Sequence, residues 1–171
     1  MKVALAQKRH GWPEKKGTWK PVPLPSAGLL VLRLVVGVTF LLHGIDKLGD
    51  MSGTEQFFAS LDIPAPGLMA PFVAVTETVG GALLIVGLAT PLIGLALAGD
   101  MLVALLTAHV DQGFFVDEGG FELVLLLGGA SLAIALTGAG RFSVDAALGV
   151  TRRLWQRVSP EAGKAAPGTR S

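Results

Sequence analysis

Four stretches of this chain run for about twenty residues with almost no charge, and that constrains its fold more than any other feature. They are "SAGLLVLRLVVGVTFLLHGIDKL" (26–48), "GLMAPFVAVTETVGGALLIVGL" (67–88), "PLIGLALAGDMLVALLTAHVD" (91–111) and "FELVLLLGGASLAIALTGA" (121–139). A helix needs about 20 mostly apolar residues to cross roughly 30 Å of hydrocarbon. A soluble bundle would show a polar face at 3.6-residue spacing; these segments are apolar all round, with single polar interruptions. Charged residues make up only 16% of the chain, against about 25% in ordinary soluble proteins. The sequence predicts an all-α fold, an integral membrane four-helix bundle built from antiparallel hairpins.

The connections and the basic residues predict how the bundle is oriented. Only "ATP" (89–91) separates the second and third spans, which demands a tight hairpin with Pro91 at a helix start. The loops 49–66 and 112–120 contain no Lys or Arg and carry Asp50, Glu55, Asp62, Asp117 and Glu118. Six basic residues lie in the N-terminal tail, Lys2 to Lys20, and six lie between Arg141 and Arg170. The positive-inside rule then places both termini in the cytoplasm and the acidic loops outside.

Residues 1–25 lack the apolar core that a secretory signal carries behind its basic start. They read as a disordered cytoplasmic tail, with Trp12 and Trp19 suited to a headgroup layer. Residues 26–148 form the membrane domain and 149–171 a basic cytoplasmic tail. The stretch 144–158 has the composition of a basic amphipathic helix on the inner leaflet. In the first outer loop, "TEQFFASL" suits a short interfacial helix capped by Thr54.

Ionisable groups inside a bilayer cost at least about 2.5–3.5 kcal/mol each on insertion scales, so each is a candidate functional residue. Counting 1.5 Å per residue from the cytoplasmic helix ends, Arg33, Glu77 and Asp100 fall roughly 9–16 Å deep and form an inner polar layer. There Arg33 is expected to neutralise Glu77 or Asp100. The layer reads either as a device that sets helix register or as a proton relay or the polar end of a ligand pocket. His43, His109 and Glu122, roughly 25 Å in by the same count, form an outer cluster with the adjoining Lys47. At about 100° per residue, Arg33, Gly37, Phe40, Gly44 and Lys47 share one face of the first helix. The same wheel puts His109 nearly opposite Asp100 on the third, so the two are not expected in one site. Gly129 and Ala133 have the spacing of a small-residue helix contact.

Several chemistries are excluded. The chain has no cysteine, which removes disulfides, iron–sulfur ligation and thiolate catalysis. No basic stripe interleaved with aromatics points to nucleic acid. Neither HExxH nor CxxCH occurs, so no metal site is expected. No nucleophile–base pair or phosphate-binding loop is present, so no catalytic residue is assigned.

Five segments in register resemble the DoxX family of small bacterial four-helix membrane proteins. They are "LLVLRLVVGVTFLLHGIDKL", with its internal arginine and HGxxK; "VTETVGGALLIVGLATPL", with a glutamate before GG; "MLVALLTAH"; "GGFELVLLLGGASLAI"; and "GAGRFSVDAAL", similar to a G-x-G-R-aromatic-S-aliphatic-D ending. The resemblance covers about residues 27–148. It places Arg33, His43, Gly44, Lys47, Glu77, Gly80, Gly81, Glu122, Arg141 and Asp145 on the family pattern; Asp100 departs from it.

Proteins of that family include a subunit of a thiosulfate:quinone oxidoreductase and a mycobacterial member associated with a thiol-oxidant defence complex. The resemblance therefore implies a multi-pass subunit or accessory protein of a redox or oxidative-stress system in the bacterial plasma membrane. Such a chain would have no evident cofactor of its own, would contact quinone, and would work with membrane or peripheral redox partners or as a homo-oligomer within the lipid bilayer. At most it would be the membrane subunit of a quinone-linked oxidoreductase. A small-solute or lipid-binding transport module, and a purely structural scaffold, stay open as alternatives.

Overall fold

The computed structural model describes residues 24–149; the 1–23 tail and residues 150–171 lie outside the described residues, and with them Trp12, Trp19 and most of the expected 144–158 helix. Helix α1 covers Leu24–Gly49, α2 Met51–Ser60 and α3 Pro66–Val86. Helix α4 begins at Thr90 and runs regularly to Ala104, then passes through a π turn at Leu105–His109 and a 3₁₀ turn at Val110–Gln112. Helix α5 covers Glu122–Thr137, and one turn, α6, covers Val144–Ala147. No strand occurs among the described residues.

Three helical stretches are long and apolar enough to cross a membrane: Ser26–Gly49, Pro66–Val86 and Thr90–Gln112. The fourth apolar helix is shorter than its apolar run. A 3₁₀ turn at Val116–Glu118 and the fold-back of Phe121 and Glu122 onto the Gly113 and Phe114 carbonyls delay its start, and Gly138 at φ 79° ends it. Its 16 residues reach about 24 Å.

Local chemistry explains most boundaries. Asp50, and not Thr54, caps α2: its carboxylate accepts from the Gly53 amide at 3.0 Å. The helix therefore starts three residues before the expected cap, and the Thr54 hydroxyl instead donates to the Asp50 carbonyl at 2.9 Å. At the α3–α4 hairpin the amides of Gly87 and Leu88 both return to the Leu83 carbonyl, which closes α3. Gly87 adopts φ 72° there, and a Cβ on it would collide with the Arg33 guanidinium. Pro91 sits in the first turn of α4, where its missing N–H costs nothing.

The closest helix pairs are α1 with α3 and α4 with α5. A Cβ added at Gly37 would sit 2.8 Å from the Gly81 carbonyl oxygen, and one added at Gly81 would sit 2.6 Å from that of Gly37. One at Gly44 would strike Thr78 and the Ala74 carbonyl. Backbones in contact at two levels seven residues apart fix the register of α1 against α3. Between α4 and α5 the close approach is Gly94 against Ser131 and Ala135. Gly129, expected at this contact, has open space around it. Its face points outward, while Val124, Leu127, Ser131 and Ile134 turn inward.

The core so formed holds Val36, Phe40, Leu84, Leu97, Met101 and Ile134. The outer surface carries exposed Val, Leu and Phe side chains on every long helix, including Leu126 and Leu136 of α5. That is a surface suited to lipid.

Candidate functional site

Polar side chains gather at the two ends of the bundle, and the two groups differ in what they leave free. At the end holding the α3–α4 hairpin, Arg33 is fully buried. Its Nη1 donates to the Ala139 carbonyl at 2.6 Å and its Nη2 to the Phe142 carbonyl at 2.7 Å. The segment that follows α5 thus wraps over the guanidinium. Asp145, also buried, accepts from the amides of Ala89 (2.8 Å) and Thr90 (2.9 Å), the first free donors of α4. The Asp145 amide in turn donates to the Gly87 carbonyl at 2.9 Å. Ser143 caps α6 by accepting from the Ala146 amide at 3.1 Å. Arg141 is exposed. Residues 138–145 therefore form a latch that joins α1, the α3–α4 hairpin and α5, in which Arg33 Nη1 and Nη2 and the Asp145 carboxylate bond backbone.

The opposite end holds a cavity of about 370 Å³. Its walls are mainly apolar, with Phe40, Met69, Val73, Met101 and Leu127 among them. Phe57 and Phe58 of α2, with Val116, Gly119 and Gly120, line it on the side away from the α3–α4 hairpin. Polar groups enter from three helices: His43 and Lys47 from α1, Glu77 from α3, and Asp100, Thr107 and His109 from α4. The Lys47 ammonium donates to Glu77 Oε2 at 2.6 Å, and the Glu77 side chain is 3% exposed. The Asp100 carboxyl lines the same cavity, on the helix packed against that of Glu77. Because a carbonyl only accepts, the 2.7 Å contact of His109 with Gly119 puts the proton on Nδ1.

This arrangement corrects the expected pairing. Arg33 does not meet Glu77 or Asp100. With Gly37 opposite Gly81, Glu77 is level with residue 41, about 12 Å along the helix axis from Arg33. Side chains also lean toward the N-terminus of their own helix. On these antiparallel helices Arg33 and Glu77 therefore lean apart, while Lys47 and Glu77 lean together. Asp100 stands level with Glu77 because Gly80 packs on Leu97.

His109 shares the cavity with Asp100, against the helical-wheel expectation. Nine α-helical residues turn about 900°, which would place the two on opposite faces. The π turn at Leu105–His109 adds a residue to one turn and sets the following side chains back by about 100°.

Glu122 does not reach the cavity; it stands in the first turn of α5 and accepts from the Val116 amide at 3.2 Å. Gly44, Gly80 and Gly81 serve helix packing. Among the described residues no three His, Asp or Glu side chains gather closely enough to hold a metal ion. Sequence reasoning missed the α2 cover, for which paired Phe57–Phe58 in a short amphipathic stretch was the available signal. It also missed the latch, whose carbonyl acceptors have no side-chain signature.

Comparison with known proteins follows the same segments. The DoxX family model matches residues 28–110. A Bacillus subtilis (strain 168) protein named "Putative oxidoreductase CatD" is 36% identical over 118 residues, covering 69% of this chain and 84% of that protein. Inner membrane protein YqjF of Escherichia coli K12 is 30% identical over 71% of this chain and 92% of its own length. Inner membrane protein YphA of the same organism is 29% identical over 68% and 87%. No solved structure matches the chain at a significant level.

If the latch is structural, Asp145→Ala lowers the stability of the detergent-solubilised protein by about 1.5–3 kcal/mol, since two amides lose a charged acceptor. Exposed Arg141→Ala changes it by less than about 0.5 kcal/mol. Denaturant unfolding measures both, and equal effects would remove the latch from the account.

Proposed function

The chain belongs to the DoxX family and is a multi-pass protein of the bacterial plasma membrane, and on that premise we propose that it is the membrane subunit or accessory protein of a redox system, holding a quinone headgroup in the cavity between Lys47, Glu77 and Asp100. The single observation that carries this reading is an apolar cavity, about 370 Å³ in volume, with an ion pair between half-buried Lys47 and buried Glu77 and a second carboxyl in its wall. Its size is within the range of small-molecule sites, where apolar walls supply burial and a few polar groups fix orientation.

Lys47 has three N–H donors and gives one to Glu77, so its ammonium can also donate to a quinone carbonyl. Phe40, Val73, Met101 and Leu127 offer the apolar lining that a ring and prenyl chain require. The oxidoreductase name carried by the Bacillus relative supports the redox assignment. With no cysteine in the chain, electrons reach or leave the quinone through a partner redox protein. The alternative, a lipid- or solute-binding module, would use the same cavity with a different occupant.

The experiment is extraction of the protein purified from native membranes, with the quinone content measured per chain. The reading expects near-stoichiometric quinone, lowered about tenfold in Lys47→Met while the protein stays folded. Absence of quinone overturns it, and a stoichiometric phospholipid or solute in its place establishes the alternative.

The proposal includes four membrane passes, with α5 as the fourth, and both termini in the cytoplasm. It rests on the segregation of Lys and Arg to the two tails. It places the mouth of the cavity, beneath α2 and residues 116–120, on the outer face. Because the chain has no native cysteine, single cysteines placed at Phe115 and at Gly140 report the two faces. A membrane-impermeant maleimide applied to intact cells should label the first and not the second, and the reverse pattern would invert the topology.

A further inference from the structure

We infer that Glu77 and Asp100 hold one proton between them and exchange it with the headgroup that enters the cavity; the exchange rests on the quinone reading above, whereas the sharing does not. The first ground is geometric. Gly80 packs on Leu97, so the two carboxyls stand level on antiparallel helices and line one cavity. Among the described residues, Asp100 Oδ2 is buried and has no donor. A carboxylate oxygen buried beside a second carboxylate is left unsatisfied and repelled, whereas one proton between them turns the contact into a hydrogen bond.

The second ground is charge. Two carboxyls and one ammonium line the cavity, and the ammonium bonds only Glu77 Oε2, at 2.6 Å. Fully ionised, the triad carries a net negative charge inside an apolar cavity; with one proton it is neutral, the form a low-dielectric site favours.

Among the described residues, Lys47 is the only Lys or Arg that lines the cavity. The titratable side chains facing the pair are His43 and Lys47 from α1 and His109 from α4, and the wall residues from α2, the 116–120 segment and α5 carry none. His109 has its Nδ1–H committed to the Gly119 carbonyl, and His43 is exposed. The arrangement is therefore an acid–acid–base triad beside a ligand-sized space. When the headgroup takes the proton, the carboxyl O–H bond breaks and an O–H bond forms on the headgroup. The pair is left as two carboxylates beside Lys47, and the accompanying electrons come from the partner redox protein.

Infrared spectroscopy of the ligand-free protein in lipid at neutral pH tests the sharing directly. The expected spectrum contains the C=O band of a protonated carboxylic acid, which shifts in D₂O. The band disappears in Asp100→Asn, because Glu77 then pairs with Lys47 alone, and in Glu77→Gln, because Asp100 then takes that ammonium. Absence of the band from the wild-type protein overturns the inference whether or not the variants fold, and so does a band that survives in either folded variant. The band without co-purifying quinone would keep the shared proton and sink the quinone reading; quinone without the band would do the reverse.

Discussion

Backbone contact between α1 and α3 at Gly37 and Gly81, repeated where Gly44 meets Thr78 and Ala74, sets the register on which the other polar contacts depend. In lipid, helices gain no hydrophobic advantage from meeting each other, so close packing of small residues decides which faces touch and at what level. Once α1 and α3 are locked, the levels of Arg33, Lys47 and Glu77 follow. Each of these charges must then find a partner at that level, because an unmatched charge at bilayer depth costs several kcal/mol. Lys47 meets Glu77, and Arg33 meets the carbonyls of the segment after α5. The α3–α4 hairpin extends the same frame to Asp100.

Two polar groups in one small bundle therefore have different fates. Around Arg33 the hydrogen bonds close on backbone, with Asp145 holding the start of α4 and Gly87 admitting the guanidinium. Apart from Arg33 Nε, which lacks a partner among the described residues, the charged groups there are spent on architecture. Around Glu77 the closure is incomplete: the Lys47 ammonium bonds Glu77 alone, an Asp100 oxygen lacks a donor among the described residues, and a ligand-sized space lies alongside. Incomplete satisfaction beside a cavity is where binding and proton chemistry belong. The π turn in α4 fits this division, since it brings His109 round to the cavity at the cost of regular helix geometry.

Much of this was legible in the sequence. The apolar runs gave the helices to within a few residues, and the stripe from Arg33 through Gly37, Phe40 and Gly44 to Lys47 was correctly read as one face. Buried Arg33, Phe40 and Gly44 lie along it. Counting depth along separate helices went wrong at Arg33 because the Gly37–Gly81 register sets Glu77 about 12 Å along the axis from it, and side-chain lean on antiparallel helices moves the two further apart. The wheel went wrong at His109 because a single inserted residue in a helix has no marker in "LLTAH". Glu122 was grouped with the histidines by level alone, and its position in the first turn of α5 turns it toward the Val116 amide. The G-x-G-R ending was visible as a pattern, but its role depended on carbonyls, which a sequence does not display.

The claim that register assigns Lys47, and not Arg33, to Glu77 is tested most directly by two double-mutant cycles in unfolding free energy. Lys47→Met with Glu77→Gln should show a coupling of roughly 0.5–3 kcal/mol, as residues in one ion pair do. Arg33→Met with Glu77→Gln should be additive within about 0.5 kcal/mol, as distant sites are. Coupling between Arg33 and Glu77, with additivity between Lys47 and Glu77, would contradict the account.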